Sequence, residues 1–212
     1  MSDRPTLETD PRRVGRAGAG VLIGGALALA VATIGGRGRR LDDRLFGWAN
    51  SRFEHPRLDA FFRGITELGS LWASGAAATA MAARGRRREA ADAFGAAVAM
   101  WGLGQGLKRA FMRVRPYEAE LPPPVRLLIG KPKGTSWPSS HPAVLLSFVT
   151  VAARDLELPR SRRRVLAGVA GVVGASRVYL GVHYPADVAG GLLLGRAVAD
   201  LWSRAVSPRI LH

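Results

Sequence analysis

The chain has 212 residues, enough for one domain with a sizeable core, and its 31 Lys and Arg against 16 Asp and Glu give a formal net charge of +15. It has no cysteine, which excludes disulfides, thiolate metal sites and a cysteine nucleophile, and its four histidines, His55, His141, His183 and His212, leave few members for a multi-histidine metal site. The charge suits nucleic acid, anionic lipid or a phosphate-bearing substrate, but no C2H2, RRM-like or KH-like signature accompanies it and the apolar residues are gathered in dense blocks. Neither a nucleic-acid partner nor a metal or other cofactor is expected.

Residues 1–16 form a polar basic tail. Residues 17–36 are an uncharged run of 20, the length that crosses a hydrocarbon core of about 30 Å at about 1.5 Å per residue. Arg12, Arg13 and Arg16 before the run and Ala30-Val31-Ala32 within it also suit a signal peptide, but the run exceeds the 7 to 15 residues of a typical signal core. An uncleaved first span is the expectation. Beyond it, Leu41, Leu45, Phe46, Trp48, Ala49 and Phe53 recur at helical spacing while Asp42, Asp43, Arg44 and Arg52 fall elsewhere, the pattern of an interfacial amphipathic helix, although the aromatic placement equally suits ordinary core packing. His55-Pro56 breaks it, and Leu58, Phe61, Phe62 and Ile65 resume it into the next apolar segment.

Five further segments follow, at 65–83, 90–107, 140–153, 165–180 and 186–206. The fourth and fifth of the six are short for isolated spans and equally suit core helices of a soluble protein; the sixth carries Arg196 and Asp200, spaced to pair on one face. Two linkers are densely basic, with Arg84, Arg86, Arg87 and Arg88 in one and Arg160, Arg162, Arg163 and Arg164 in the other. Six spans put both linkers on the side of the termini, which the positive-inside rule makes cytoplasmic, although the opposite side also carries Arg37, Arg39, Arg40 and Arg44.

Three polar clusters remain. Residues 108–116 run Lys-Arg-Ala-Phe-Met-Arg-Val-Arg-Pro, residues 137–141 run Trp-Pro-Ser-Ser-His, and Ser176-Arg177 precedes His183-Tyr184-Pro185-Ala186-Asp187. Parity places all three on one membrane face. Lys108 and Arg115 are seven apart, two turns if the helix continues, whereas Arg109 and Arg113 are expected to snorkel at the interface. Pro185 suits the first turn of a helix, with His183 just before it and Asp187 placed either to cap the helix or to reach the imidazole N–H.

In order, the sequence contains KX6RP, PSSH and SRX5HX3D. This set resembles the type 2 phosphatidic acid phosphatase superfamily, whose pattern is KX6RP, PSGH and SRX5HX3D, over roughly residues 65–206. The resemblance implies that Lys108, Arg115 and Arg177 hold phosphate oxygens, with Ser139 and nearby backbone amides, Ser140 among them, completing the cradle. It implies that His183 attacks phosphorus to form a phosphohistidine, that Asp187 orients it, and that His141 protonates the leaving oxygen and then activates water. Ser140 departs from the family glycine, which bears on the detailed geometry of the cradle.

Phosphoryl transfer needs in-line positioning and neutralised oxygens, which three fixed cations supply without a metal. The expectation is an all-α integral membrane protein: a six-helix bundle over residues 17–206, an interfacial amphipathic helix between spans one and two, and a short tail at 207–212. The active site is expected on the outer face of the cell's inner (plasma) membrane. Soluble acid phosphatases and vanadate-dependent haloperoxidases share the motif set, so the apolar spans carry the inference to a lipid phosphate: phosphatidic acid, phosphatidylglycerol phosphate or a polyprenyl diphosphate. A polyprenyl-phosphosugar is the alternative substrate, and a membrane protein that binds lipid phosphate without hydrolysing it is the alternative class. Nothing in the sequence names a protein partner.

Overall fold

The computed structural model describes residues 16–119, 121 and 124–211, so most of the N-terminal tail, Arg12 and Arg13 included, and His212 lie outside the described residues. Those described fold into helices and short 3-10 turns with no strand among them. The helices are α1 (Arg16–Ile34), α2 (Arg39–Ser51), α3 (Pro56–Thr66), α4 (Leu71–Ala83), α5 (Arg87–Phe111), α6 (Ser140–Asp155), α7 (Arg160–Tyr179), α8 (Pro185–Ala205) and α9 (Ser207–Leu211).

At the centre, α6 packs against α5, α7 and α8, and α1 lies along α8. The core is built largely of alanine, with Ala93, Ala96, Ala97, Ala143 and Ala152 around Met100, Val144, Phe148, Val151 and Trp137. Small side chains let helix backbones come close, where dispersion and weak contacts between them are strongest. Gly191 and Gly195 on α8 face the carbonyls of Ser139 and Ala143, and a Cβ at either would overlap them. This close approach of α8 to the start of α6 brings the second and third motifs together. Through Ala19, Ala26, Ala30 and Thr33 the first helix buries a stripe of small residues, so it is packed as part of the bundle.

The observed helices differ from the expected segments at three places. The apolar run 65–83 is two pieces: Glu67–Gly69 form a 3-10 turn and Ser70 starts α4, its hydroxyl accepting from the N–H of Ala73 at 3.0 Å. A serine cap here satisfies a donor that a continuous helix would pair internally. At the end of α5, Met112 adopts φ 45°, so Lys108 and Arg115 do not share a helix face; Arg115 stands on extended backbone. Residues 207–211 form α9 against α5 and α8. By length and composition, one described helix, over Ala17–Ile34 with mean hydropathy 2.1, suffices to cross a membrane.

In α2, Asp42, Phe46 and Asn50, spaced by four, face inward, while Leu41, Leu45 and Trp48 are exposed. Asn50 is bonded on both ends of its amide, giving to the carbonyls of Arg126 and Tyr179 and accepting from the Arg126 N–H. The helix is anchored by Asp42, Phe46 and Asn50 and shows Leu41, Leu45 and Trp48 outward. At the other end of the bundle, Arg154 of α6 binds Asp92 of α5 at 2.8 Å and the Ser207 hydroxyl at 2.9 Å, and Trp202 of α8 donates to the same Asp92. The expected Arg196–Asp200 pair is formed at 2.9 Å on an exposed face of α8.

Candidate active site

At the end away from Asp92, the three motifs meet around a cavity of about 280 Å³ lined by Lys108, Arg115, Ser140, His141, Arg177 and His183 among others. Each cation is held by neutral groups. The Lys108 ammonium donates to the carbonyls of Thr135 at 2.7 Å and Ser136 at 3.3 Å. Arg115 donates through Nε to Gly134 and through Nη1 to Val182, at 2.8 and 2.9 Å. Arg177 gives Nη1 to the Thr66 hydroxyl at 2.8 Å, and its Nε is buried without a partner. All three are at least nine-tenths buried, and among the described residues none has a carboxylate within 4.0 Å. Burying a charge costs several kcal/mol unless an opposite charge compensates it, so three such cations around one cavity describe a site for a multiply charged anion.

His183 sits among them, 2% exposed, with Nε2 3.4 Å from Arg115 Nη1. Burial, and then the charges of Lys108, Arg115 and Arg177, hold its pKa well below the ordinary imidazole value. The ring is therefore neutral, with a lone pair available for attack. Its other nitrogen, Nδ1, faces Asp187 Oδ2 at 3.5 Å, longer than a direct hydrogen bond. Ser136 stands beside both: its hydroxyl donates to Asp187 Oδ2 at 2.5 Å and lies 3.4 Å from Nδ1. The same Oδ2 accepts from the Tyr184 N–H at 2.9 Å, so Asp187 also caps α8. Of the two roles weighed for this acid, the cap is formed directly, while the imidazole stands 3.5 Å away with Ser136 beside both.

His141 lies one residue inside α6, its Cβ packed so closely on Gly69 that a side chain at 69 would collide with it at 2.6 Å. Ser139 is the N-cap residue of α6; its N–H donates to the Asp187 carbonyl at 3.0 Å and its hydroxyl is buried without a partner. Ser140 Oγ is likewise unpartnered and points toward Gly104, where a Cβ would lie at 3.4 Å. Ser140 is the first residue of α6 and its backbone is outside the left-handed region, so this position does not use the freedom glycine would bring.

Arg113 overturns the expectation of a snorkelling side chain. It is 6% exposed and its guanidinium bridges Asp187 Oδ1 and Asp42 Oδ2, each at 2.6 Å. Burial pulls its pKa down, but Asp187 and Asp42 more than offset this and raise it. Asp42, Ser136 and Thr66 were not singled out by sequence. Of these, only Asp42 left a trace, as the first member of the stripe Asp42, Phe46, Asn50 at helical spacing.

The family model described as the PAP2 superfamily matches residues 89–210, which hold all three motifs. The chain belongs to the PAP2 superfamily. An undecaprenyl-diphosphatase of Sulfolobus acidocaldarius is 36% identical over 101 residues, covering 47% of this chain and about half, 46%, of that relative. A decaprenylphosphoryl-5-phosphoribose phosphatase of Mycobacterium tuberculosis is 30% identical over 151 residues, 70% of this chain and 80% of the relative. In structure, the chain resembles the transmembrane PAP2-type phosphatidylglycerolphosphate phosphatase of Bacillus subtilis, with TM-score 0.71 and 26% identity over 87% of this chain and 94% of that one. It also resembles Aquifex aeolicus LpxE, with TM-score 0.67 and 27% identity over 76% of this chain and 93% of that one. These PAP2 neighbours share the all-helical architecture seen here.

Proposed function

We propose that this protein hydrolyses the terminal phosphate of a membrane lipid through a phosphohistidine, with a polyprenyl-linked phosphate or diphosphate as the favoured substrate. The observation that carries the reading is the set of three buried cations, unpaired by any carboxylate among the described residues, around the neutral His183. Lys108, Arg115 and Arg177 hold the phosphate oxygens, and the unpartnered hydroxyls of Ser139 and Ser140 and the free Nε of Arg177 complete the cradle. His183 Nε2 attacks phosphorus in line; its Nδ1–H, oriented by Asp187 and Ser136, carries the developing positive charge. His141 gives its proton to the leaving oxygen, then takes one from the water that cleaves the N–P bond, releasing phosphate and restoring both histidines.

The apolar surface supports a membrane setting for this chemistry. Val21, Val31, Trp72 and Val165 are 66 to 90% exposed, while Asp92, Asp187 and Arg177 are inside. Large apolar groups outside and charged groups within suit lipid as the surrounding solvent. In this reading α1 and α4 to α8 cross the bilayer, the shorter ones packed by neighbours, and α2 and α3 lie at the interface with Leu41, Leu45, Trp48 and Phe61 toward lipid. The core spans residues 17–206, and the site opens to the outer face of the inner (plasma) membrane, opposite the basic linkers. The names of both curated relatives favour a polyprenyl substrate; the Bacillus subtilis neighbour keeps phosphatidylglycerol phosphate as the second reading.

The test is phosphate release by the purified protein in detergent from undecaprenyl diphosphate, a polyprenyl-phosphosugar phosphate, phosphatidylglycerol phosphate and phosphatidic acid. The expected result is turnover, highest on a polyprenyl substrate, abolished in His183→Ala, inhibited competitively by vanadate and unaffected by EDTA. Tight binding of these lipids without release would replace hydrolysis by the binding function, and loss of activity in EDTA restored by a divalent ion would remove the metal-free scheme.

A further inference from the structure

The contact that fixes Asp187 comes from one of the six unspecified positions inside the first motif. Arg113 stands two residues before the motif arginine, on the irregular segment after α5, and its guanidinium is stacked on the Tyr184 ring with 4.0 Å to the centroid. One edge holds Asp187 Oδ1 and the other holds Asp42 Oδ2, both at 2.6 Å. The remaining oxygen of Asp42 accepts from the N–H of Ala186 at 2.9 Å. The chain from Asp42 through Arg113 to Asp187 and back through Ala186 is thus a closed ring, spanning α2, the segment after α5, and the first turn of α8.

A fold-stabilising pair would need one acid for one base. Here two carboxylates share a single buried guanidinium, and one of them is the acid behind His183. With Oδ1 held by Arg113, Oδ2 is the oxygen left to Ser136 and to His183 Nδ1. Only a planar fork can serve two carboxylates on two edges at once; an ammonium is a single point of charge.

We propose that Arg113 is a positioning residue for phosphoryl transfer, setting the Asp187 carboxylate behind His183, and that Asp42 of α2 holds Arg113 in place for it. The proposal rests on the phosphohistidine reading above. Arg113 touches neither the cavity nor His183 and acts through Asp187. The same helix that shows Leu41, Leu45 and Trp48 outward thereby reaches the reaction centre.

The test measures kcat and KM of phosphate release, vanadate inhibition and Tm for Arg113→Gln, Arg113→Lys and Asp42→Asn, with His183→Ala and the exposed Arg109→Gln as references. Because the cradle cations are untouched, Arg113→Gln is expected to lower kcat by about tenfold or more with KM and the vanadate inhibition constant within about threefold of wild type. Arg113→Lys recovers part of that loss, and Asp42→Asn, which loses the charge and keeps only one of the two acceptor oxygens, lowers kcat about three- to tenfold. Arg109→Gln matches wild type. Should Arg113→Gln not fold, Asp42→Asn decides alone: a kcat loss of about threefold or more at unchanged vanadate inhibition supports the proposal, and anything smaller overturns it. A rise in KM with kcat intact, or weakened vanadate binding in parallel with kcat, also overturns it, because the ring would then serve the cradle. An active His183→Ala would defeat the phosphohistidine reading itself; a dead His183→Ala beside fully active Arg113 and Asp42 variants would defeat this inference alone.

Discussion

The Ser136 hydroxyl donates to Asp187 Oδ2 at 2.5 Å while standing 3.4 Å from His183 Nδ1, so one serine touches both Asp187 and His183, the acid and the nucleophile of the proposed mechanism. Removing it leaves Oδ2 with the Tyr184 N–H alone and frees the carboxylate to rotate about its Arg113 contact. A hydrogen bond to a charged group contributes about 1.5 to 3 kcal/mol, so Ser136→Ala is expected to lower kcat by about tenfold with little change in KM. Unchanged kcat in purified Ser136→Ala would make the serine a bystander.

His183 carries a pH signature. Burial and the neighbouring cations depress its folded pKa below the 6.5 of a free imidazole. Above 6.5 both folded and unfolded chains hold it neutral; as pH falls below 6.5 the unfolded chain takes up a proton that the folded one refuses. The stability present above that pH is therefore lost on acidification, with a limiting slope of about 1.4 kcal/mol per pH unit for one group. Tm measured from pH 7 down to 4.5 should fall less steeply for His183→Ala than for wild type. Parallel curves would mean that the imidazole is protonated in the folded protein.

Close helix approach gives a prediction that separates packing from chemistry. A methyl group at Gly191 would overlap the Ser139 carbonyl and push the PSSH segment away from α8. Overpacking of this kind costs about 1 to 3 kcal/mol, so Gly191→Ala should lower both Tm and activity. Gly171 on α7 has nothing within 4 Å of its would-be Cβ, and Gly171→Ala should stabilise by up to about 1 kcal/mol through helix propensity. Equal Tm for the two variants would contradict the packing described for α6 and α8.

What the sequence made legible follows the range over which each signal acts. Helices α5 to α8 are readable because apolar stretches bounded by the polar motifs and the two basic linkers leave little freedom in where a helix can lie. The break at Glu67–Ser70 was hidden by the apolar composition around it, although Gly69-Ser70 before Leu71 is the local mark of a helix start. The convergence of the motifs was legible from span parity and from family resemblance. Arg113 was misread because its partners are 71 and 74 residues away and a solitary arginine at a helix end ordinarily snorkels. Ser136 was passed over for a similar reason: nothing local separates it from the serines three and four positions later, and its role appears only once α8 brings Asp187 beside it.

The orientation assigned to the bundle is open to chemical labelling in a chain that has no native cysteine. Lys131 is exposed in the segment beside the site, and Ser161 is exposed at the basic start of α7. In intact cells Lys131→Cys should react with a membrane-impermeant thiol reagent, and Ser161→Cys should react only after the membrane is opened. The reverse pattern would turn the active site to the cytoplasm.

The two serines that open α6 are expected to differ. Both hydroxyls are buried and unpartnered, but Ser140 Oγ faces the open side of Gly104, whereas Ser139 is the N-cap residue whose own N–H is tied to the Asp187 carbonyl. Since Ser140 does not sit in backbone that demands glycine, restoring the family residue removes a hydroxyl without relieving strain. It also adds conformational freedom to the unfolded chain, which lowers stability by up to about 1 kcal/mol. Ser140→Gly should therefore remain active, with kcat/KM changed by less than about tenfold, or about 1.4 kcal/mol of transition-state stabilisation. Ser139→Ala should lose more, because in the proposed cradle its buried, unpartnered hydroxyl donates to a phosphate oxygen, a charge-assisted bond contributing about 1.5 to 3 kcal/mol. Measured side by side on one lipid substrate, a dead Ser140→Gly and a healthy Ser139→Ala would reverse the assignment and make Ser140 the phosphate ligand.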